Sequence, residues 1–359
     1  MKPLLMTGLA LTLAVSATVF TQGPAPPPNV RLAQTPVGDS RRVGAYRHDD
    51  WDPNDHRGTD IDRLQTDPSI RHRLPYHAVI TGPATASVNE NTQAVVDQDI
   101  VYASSAGIDF WAIGHYCTPG TQYTYRRMKT SPYRARMKYA FIESATSQCR
   151  IDDLLTEVRD PQYLTVLDGR PVVFFFMMAG GYYTDSGSGS PATMASLRSQ
   201  IQAVTGKSPY FVGLDFTAAA AAAWISAGYG LDAISSYGGG LDSTTGTNIP
   251  YATQATREQQ QWAEYVATGH QYLPTVTTGW ETLGNPGSFT TTEGTPQEIA
   301  NHLKNALTFH ATFPRSNLAN LLLLSAWNEY TENHYLVPYN VATNATGAGR
   351  LNAIAAVLR

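Results

Sequence analysis

Two cysteines in 359 residues, Cys117 and Cys149, are too few to build a structural zinc site alone and allow at most one disulfide. Charge is sparse as well: 15% of residues are charged, and they sum to −4 without long like-charge runs. No broad basic surface is available for a phosphate backbone, so nucleic acid is not an expected partner. The one basic cluster runs from Arg126, Arg127 and Lys129 through Arg134, Arg136 and Lys138. It is interleaved with Tyr and Met, and reads as a solvated helix or loop face. Nucleotide signatures are missing too. No Gly-x-Gly-x-x-Gly follows the first strand and no Walker-type loop occurs, while the Gly-rich Ser186 to Ser190 stretch lacks Lys and reads as a flexible loop. There is no Gly-x-Ser-x-Gly elbow and no His-Glu-x-x-His. His48-Asp49-Asp50, with Asp52 and Asp55, lacks the Gly and Glu of a calcium loop, so neither metal nor cofactor is expected.

What the chain does contain is apolar and aromatic: 42% hydrophobic residues, with 20 Tyr and 6 Trp, enough for a large core. Met1-Lys2-Pro3 and the apolar run from Leu4 to Phe20 have the form of a secretory signal peptide, placed at residues 1–22, with an uncleaved anchor as the alternative. The expectation is a secreted or periplasmic protein with no other membrane segment, in a compartment where Cys117 and Cys149 can pair. Residues 23–42, with Pro24, Pro26, Pro27 and Pro28, read as a linker, and residues 43–359 as one folded body.

Within that body, short β-rich runs alternate with helical stretches. The runs are Val43 to Tyr46, Gly107 to His115, Tyr139 to Glu143, Pro171 to Phe176, Tyr210 to Asp215, Ala233 to Tyr237, Tyr272 to Thr277 and Leu321 to Trp327, with one more near Tyr76 to Thr81. Several are apolar on both alternating faces, as parallel strands covered by helices are. Helices are expected over Asn91 to Ala106, Ile151 to Arg159, Thr193 to Val204, Thr217 to Ser226, Ala255 to Thr268 and Thr295 to Phe309. The six alanines Ala218 to Ala223 suit a close-packed outer helix. Eight βα units predict an α/β fold, a single (β/α)₈ barrel with decorated loops.

The carboxyl ends of barrel strands carry the active site, so the polar groups ending each run are the candidates. They are Tyr46, Asp109, His115, Tyr116, Glu143, Asp215, Tyr237, Trp280, Glu281, Trp327 and Asn328 as substrate ligands, and Glu329 and Glu332 as catalytic residues. Carboxylates, amides and aromatic faces together suit a sugar, making a poly- or oligosaccharide the expected partner. Asp215 has an alternative as a helix N-cap, Asp109 as a buried structural carboxylate and Glu143 as a strand-end charge. His48, His115 and His334 are each able to bind a hydroxyl, with packing or surface residues as the more common reading of lone histidines. If the last strand runs on to Glu329, then Ser325, Trp327 and Glu329 share a face. A turn after Glu329 brings Glu332 close, and two adjacent carboxylates raise one another's proton affinity, leaving one acid and one base.

The sequence resembles the glycoside hydrolase family 99-like group, which includes WbsX-type proteins and is often joined with family 71. The resemblance rests on Ala106 to Ala112, Tyr163-Leu164 with Asp168 to Val173, Gly279-Trp280-Glu281, and Ala326-Trp327-Asn328-Glu329-Tyr330-Thr331-Glu332 with Leu336 and Pro338. It implies a (β/α)₈ barrel acting on glycans with retention. Glu329 would be base to the sugar 2-hydroxyl through an epoxide-like intermediate, and Glu332 the acid/base at the leaving group. Where the family commonly has Trp and Gly after the two glutamates, this chain has Tyr330 and Asn333. Tyr keeps the aromatic surface, and Asn tolerates a left-handed backbone. A non-catalytic glycan-binding barrel and a donor-dependent polysaccharide-assembly protein are the alternatives, and oligomeric state is left open.

Overall fold

The computed structural model describes residues 41–53, 59–116, 122–143, 148–176, 190–238, 248–281 and 290–359. The proposed leader, most of the linker, Cys117 and the Gly-rich residues 186–189 lie outside them. Arg42, assigned to the linker from sequence, instead opens the first strand.

Eight parallel strands form the barrel: β1 Arg42–Arg47, β2 Phe110–His115, β3 Lys138–Glu143, β4 Arg170–Phe176, β5 Tyr210–Asp215, β6 Ala233–Ser236, β7, and β8 Leu321–Ser325. The seventh is in two pieces, Tyr272–Leu273 paired with β6 and Thr275–Thr277 paired with β8. Pro274 separates them because it has no N–H to give, but its carbonyl accepts from Leu323 N–H at 2.9 Å and so joins β6 to β8 through one continuous strand. β8 also pairs with β1, Arg42 opposite Leu321, which closes the ring.

Helices α1 Thr59–Thr66, α2 Gln93–Ser105, α3 Tyr123–Thr130, α4 Gln148–Glu157, α5 Pro191–Thr205, α6 Ala218–Ser226, α7 Tyr251–Ala267, α8 Pro296–Thr312 and α9 Gly349–Leu358 surround it. Their starts are encoded locally. Thr92, Ser190 and Thr217 each accept a hydrogen bond from the backbone N–H three residues on, and Thr295 with Glu298 forms a capping box. Ala218 and Ala221 are the buried residues of the alanine helix.

Three helices, α1, α3 and α9, were not foreseen. Part of the basic cluster lies on α3, whose other face buries Tyr123, Tyr125 and Met128. The extra strand expected near Tyr76 is Val79–Ile80, paired antiparallel with Ala86–Ser87 outside the barrel. Cys149 is disulfide-bonded. Among the described residues no helix is long and apolar enough to cross a membrane.

Alternation along β1 sets the two sides of the wall. Tyr46 points inward, its hydroxyl donating across the barrel to Ser236 C=O at 2.8 Å, while Arg47 points outward to Asp99 of α2 at 2.7 Å.

Candidate active site

β8 stops at Ser325, two residues short of the expected Trp327, and does not run on to Glu329. The chain then folds into a small antiparallel hairpin, β9 Asn328–Glu329 and β10 His334–Tyr335, with Glu329 opposite His334. Asn333 takes the left-handed conformation at φ 61°, as its Asn identity allows, and its side chain donates to Thr291 C=O at 3.0 Å. Arg73 reaches the carbonyls of Tyr330 and Thr331, and Glu281 N–H donates to Glu332 C=O at 2.7 Å. The turn is thus held from three sides. Glu329, Glu332 and His334 converge, with one side-chain donor atom from each within 4.8 Å of the others.

Each carboxylate has its own imidazole. His48 Nε2 lies 3.2 Å from Glu329 and 3.0 Å from the Tyr237 hydroxyl, and its Nδ1 lies 2.9 Å from the Tyr116 hydroxyl. His334 Nε2 lies 3.0 Å from Glu332, and its Nδ1 lies 3.0 Å from Ser325 Oγ. Asp50 brings a third carboxyl to the His48–Glu329 side, again within 4.8 Å. These are also the atoms a divalent ion would use, but His334 Nε2 already bonds Glu332 and His48 Nε2 already bonds the Tyr237 hydroxyl.

The electrostatics differ from expectation. Burial alone would raise the Glu332 carboxyl, yet the His334 hydrogen bond and the two neighbouring imidazoles hold it below the usual glutamate value. Mutual elevation by the two carboxylates does not govern Glu332. His48 is pushed down to about 4 by burial, against the pull of Glu332, and is neutral near pH 7.

Aromatic rings wall the pair. Trp280 packs on His334 with centroids 4.8 Å apart, edge-on to Tyr237 at 6.1 Å and Phe216 at 6.0 Å, and Phe176 meets Tyr237 at 4.7 Å.

Of the residues singled out from sequence, Glu329, Glu332, Tyr116, Tyr237 and Trp280 meet here. The others do not. Tyr46 is wholly buried below the site. Asp109 sits at the opposite end of the barrel, accepting from Val43 N–H at 2.8 Å ahead of β2. His115 and Glu143 fall on the outward parity of β2 and β3, where they form a buried pair at 2.8 Å beneath α3 and α4. Burial pulls His115 down, but the Glu143 charge together with hydrogen bonds to Asp153 and Glu143 raises it to about 9. Asp215 accepts from Phe216 N–H and Trp224 Nε1, while the N-cap of α6 is Thr217 and not Asp215. Glu281 is held between Arg63 at 3.2 Å and Arg73 at 2.7 Å. Trp327 turns outward against Trp111 and donates to Asp99. Asn328 is fully buried and binds the His48 backbone.

His48 and His334, read as packing residues, are the groups sequence reasoning missed. His48 continues the inward parity of Gly44 and Tyr46, and His334 is the cross-strand partner of Glu329. Both follow once register is known.

No protein-family model matches the sequence, and no curated protein matches it. Solved structures do. A family 99 glycoside hydrolase, an endo-alpha-mannosidase from Bacteroides thetaiotaomicron in complex with bis-tris propane, superposes with a TM-score of 0.55 at 14% identity. The match covers 84% of this chain and 88% of that one. A second structure of an endo-alpha-mannosidase of that family and organism gives a TM-score of 0.51 at 14% identity, over 83% and 88%. The fold is shared. What the likeness establishes is the (β/α)₈ architecture, in agreement with the strand order derived above, and it matches the family 99-like resemblance seen in the sequence.

Proposed function

We propose that this protein is a glycoside hydrolase that cleaves a poly- or oligosaccharide with retention of configuration, using Glu329 and Glu332. The observation that carries the reading is the convergence of the two carboxyls within 4.8 Å, beside Trp280 and Tyr237, just beyond the carboxyl end of β8. Inverting enzymes hold their carboxyls about 6.5–9.5 Å apart to seat a water, and two carboxyl oxygens within 4.8 Å are closer than that, which favours retention.

In this reading Glu329 removes the proton of the sugar 2-hydroxyl as that oxygen attacks the anomeric carbon, and the bond to the leaving oxygen breaks as Glu332 protonates it. Water then opens the three-membered intermediate, giving its proton to Glu332, while the 2-oxygen recovers its proton from Glu329. The 3.0 Å hydrogen bond between His334 and Glu332 supports this role, since it sets a proton carrier beside the group that delivers the proton. No cofactor enters these steps. We propose further that residues 1–22 are removed on export, which the N-terminal sequence of the secreted protein tests.

The structural neighbours are endo-alpha-mannosidases, so α-mannosides are the first substrates to try, within a broad glycan panel. Reducing-end release and glycan binding are measured together for the wild type and Glu332→Gln. Cleavage by the wild type and loss of roughly a hundredfold or more in the variant supports the assignment. Equal cleavage by both removes Glu332 from the chemistry, and binding without cleavage by either identifies a glycan-binding barrel instead.

A further inference from the structure

We propose that Tyr116, held from behind by Arg150, fixes the tautomer of His48 and through it orients Glu329. Tyr116 and Arg150 are thus positioning residues for the proposed reaction, and the inference rests on reading Glu329 as its base.

His48 has polar neighbours at both ring nitrogens. Its Nε2 faces the Glu329 carboxylate at 3.2 Å and the Tyr237 hydroxyl at 3.0 Å, and its Nδ1 faces the Tyr116 hydroxyl at 2.9 Å. A neutral imidazole carries one N–H, and a carboxylate that acts as base, as proposed for Glu329, can only accept. The proton therefore belongs on Nε2, directed at Glu329, which leaves Nδ1 as an acceptor that Tyr116 O–H must satisfy. With Tyr116 turned away, the Nδ1–H tautomer becomes accessible and aims a lone pair at the carboxylate.

Tyr116 needs an anchor because it lies beyond the last hydrogen-bonded residue of β2. Arg150, on α4, donates from Nη2 to the Tyr116 carbonyl at 3.2 Å, and its Nη1 lies 4.0 Å from Glu143. Glu143 in turn grips His115, the residue before Tyr116, at 2.8 Å. The outward pair that binds no sugar thus ties the chain leading to Tyr116 onto β3 and α4. Beside Arg150, Cys149 is disulfide-bonded, which holds the start of α4. Gly114 is a separate sign that the approach is built: a Cβ there would stand 3.1 Å from the Tyr116 hydroxyl and 3.2 Å from His48 Nδ1. A larger residue would wedge the two apart.

The experiment uses the full mature protein with ¹⁵N-labelled histidine. Long-range ¹H–¹⁵N spectra report which nitrogen of His48 is protonated, and kcat and KM are measured on whichever glycan is cleaved. The expected result is an Nε2–H tautomer in the wild type and a mixture containing Nδ1–H in Tyr116→Phe and Arg150→Met. In both variants kcat falls on the order of tenfold or more while KM stays within about threefold. Arg150→Lys, which keeps a donor for the Tyr116 carbonyl, recovers most of the Arg150→Met loss. An Nδ1–H tautomer in the wild type, or an unchanged His48 spectrum in Tyr116→Phe, overturns the proposal. The spectra need no sugar, so they fail or succeed independently of the catalytic reading, which full activity in Glu329→Gln would remove by itself.

Discussion

Asn328 closes a two-point bond with the backbone of His48, accepting from its N–H at 2.9 Å and donating to its carbonyl at 2.6 Å. The same amide donates to Glu90 at 2.9 Å. One side chain therefore fixes the hairpin that carries Glu329 against the end of β1 that carries His48.

Asn328→Ala strips partners from three buried polar groups at once. The expected cost is about 2–4 kcal/mol in urea denaturation, with activity falling more steeply than the loss of folded protein explains. A change below about 1 kcal/mol would mean that the hairpin is held elsewhere.

Arg47 is wholly buried, 2.7 Å from Asp99 and 3.3 Å from Glu90, with its guanidinium over Trp111 at 4.5 Å. Arg47→Met leaves two carboxylates facing each other without a cation, and a loss of about 3–5 kcal/mol is expected near neutral pH. Protonation relieves that repulsion, so the gap between variant and wild type should narrow at pH 4 to 5, which denaturation at several pH values checks.

Glu258 is buried between α7 and β7, accepting from Thr277 N–H and Oγ, and burial pushes its carboxyl from 4.5 up to about 8. Between those values the folded protein keeps a proton that the unfolded chain gives up, so this group's contribution to stability falls as pH rises through the window. Glu258→Gln should abolish that slope. His302, 3.3 Å away and pushed down to about 3 by burial, acts in the opposite sense below pH 6.5 but is present in both proteins. Comparing their melting temperatures at pH 5, 6.5 and 8 isolates Glu258, and parallel curves would show that it is ionised in the fold.

Gly238 leaves room for Trp280: a Cβ there would stand 2.6 Å from Cζ3 of the indole. Gly238→Ala should push the ring off His334 and raise KM for the glycan by up to about tenfold, the scale of one aromatic contact. Steady-state kinetics test this, and an unchanged KM would take Trp280 out of the sugar's path.

The barrel was legible because a parallel strand covered on both sides must be apolar at every position, and the runs around Phe174 and Leu322 are. Side was harder to read than strand. His48, just past β1, and His115, the last residue of β2, point to opposite sides of the wall, and a single step of parity separates a neighbour of Glu329 from a buried partner of Glu143. The Glu-x-x-Glu spacing announced the pair, and Asn333 announced its turn. The hairpin itself was hidden because Ala326-Trp327 prolongs the apolar character of β8, although Trp327 leaves the strand to pack outside. α3 escaped notice because its Tyr and Arg residues alternate closely, which masks a helical period.

The hairpin also separates two things that barrel enzymes usually bind together. Carboxylates carried on neighbouring barrel strands inherit their spacing from strand tilt and stagger, so re-shaping the mouth disturbs the chemistry. Here both stand on one six-residue segment, Glu329 to His334, with its own cross-strand pairing. The spacing of Glu329 and Glu332 is a property of that segment, so under the proposed function the other strand ends are free to diverge toward different sugars without retuning it.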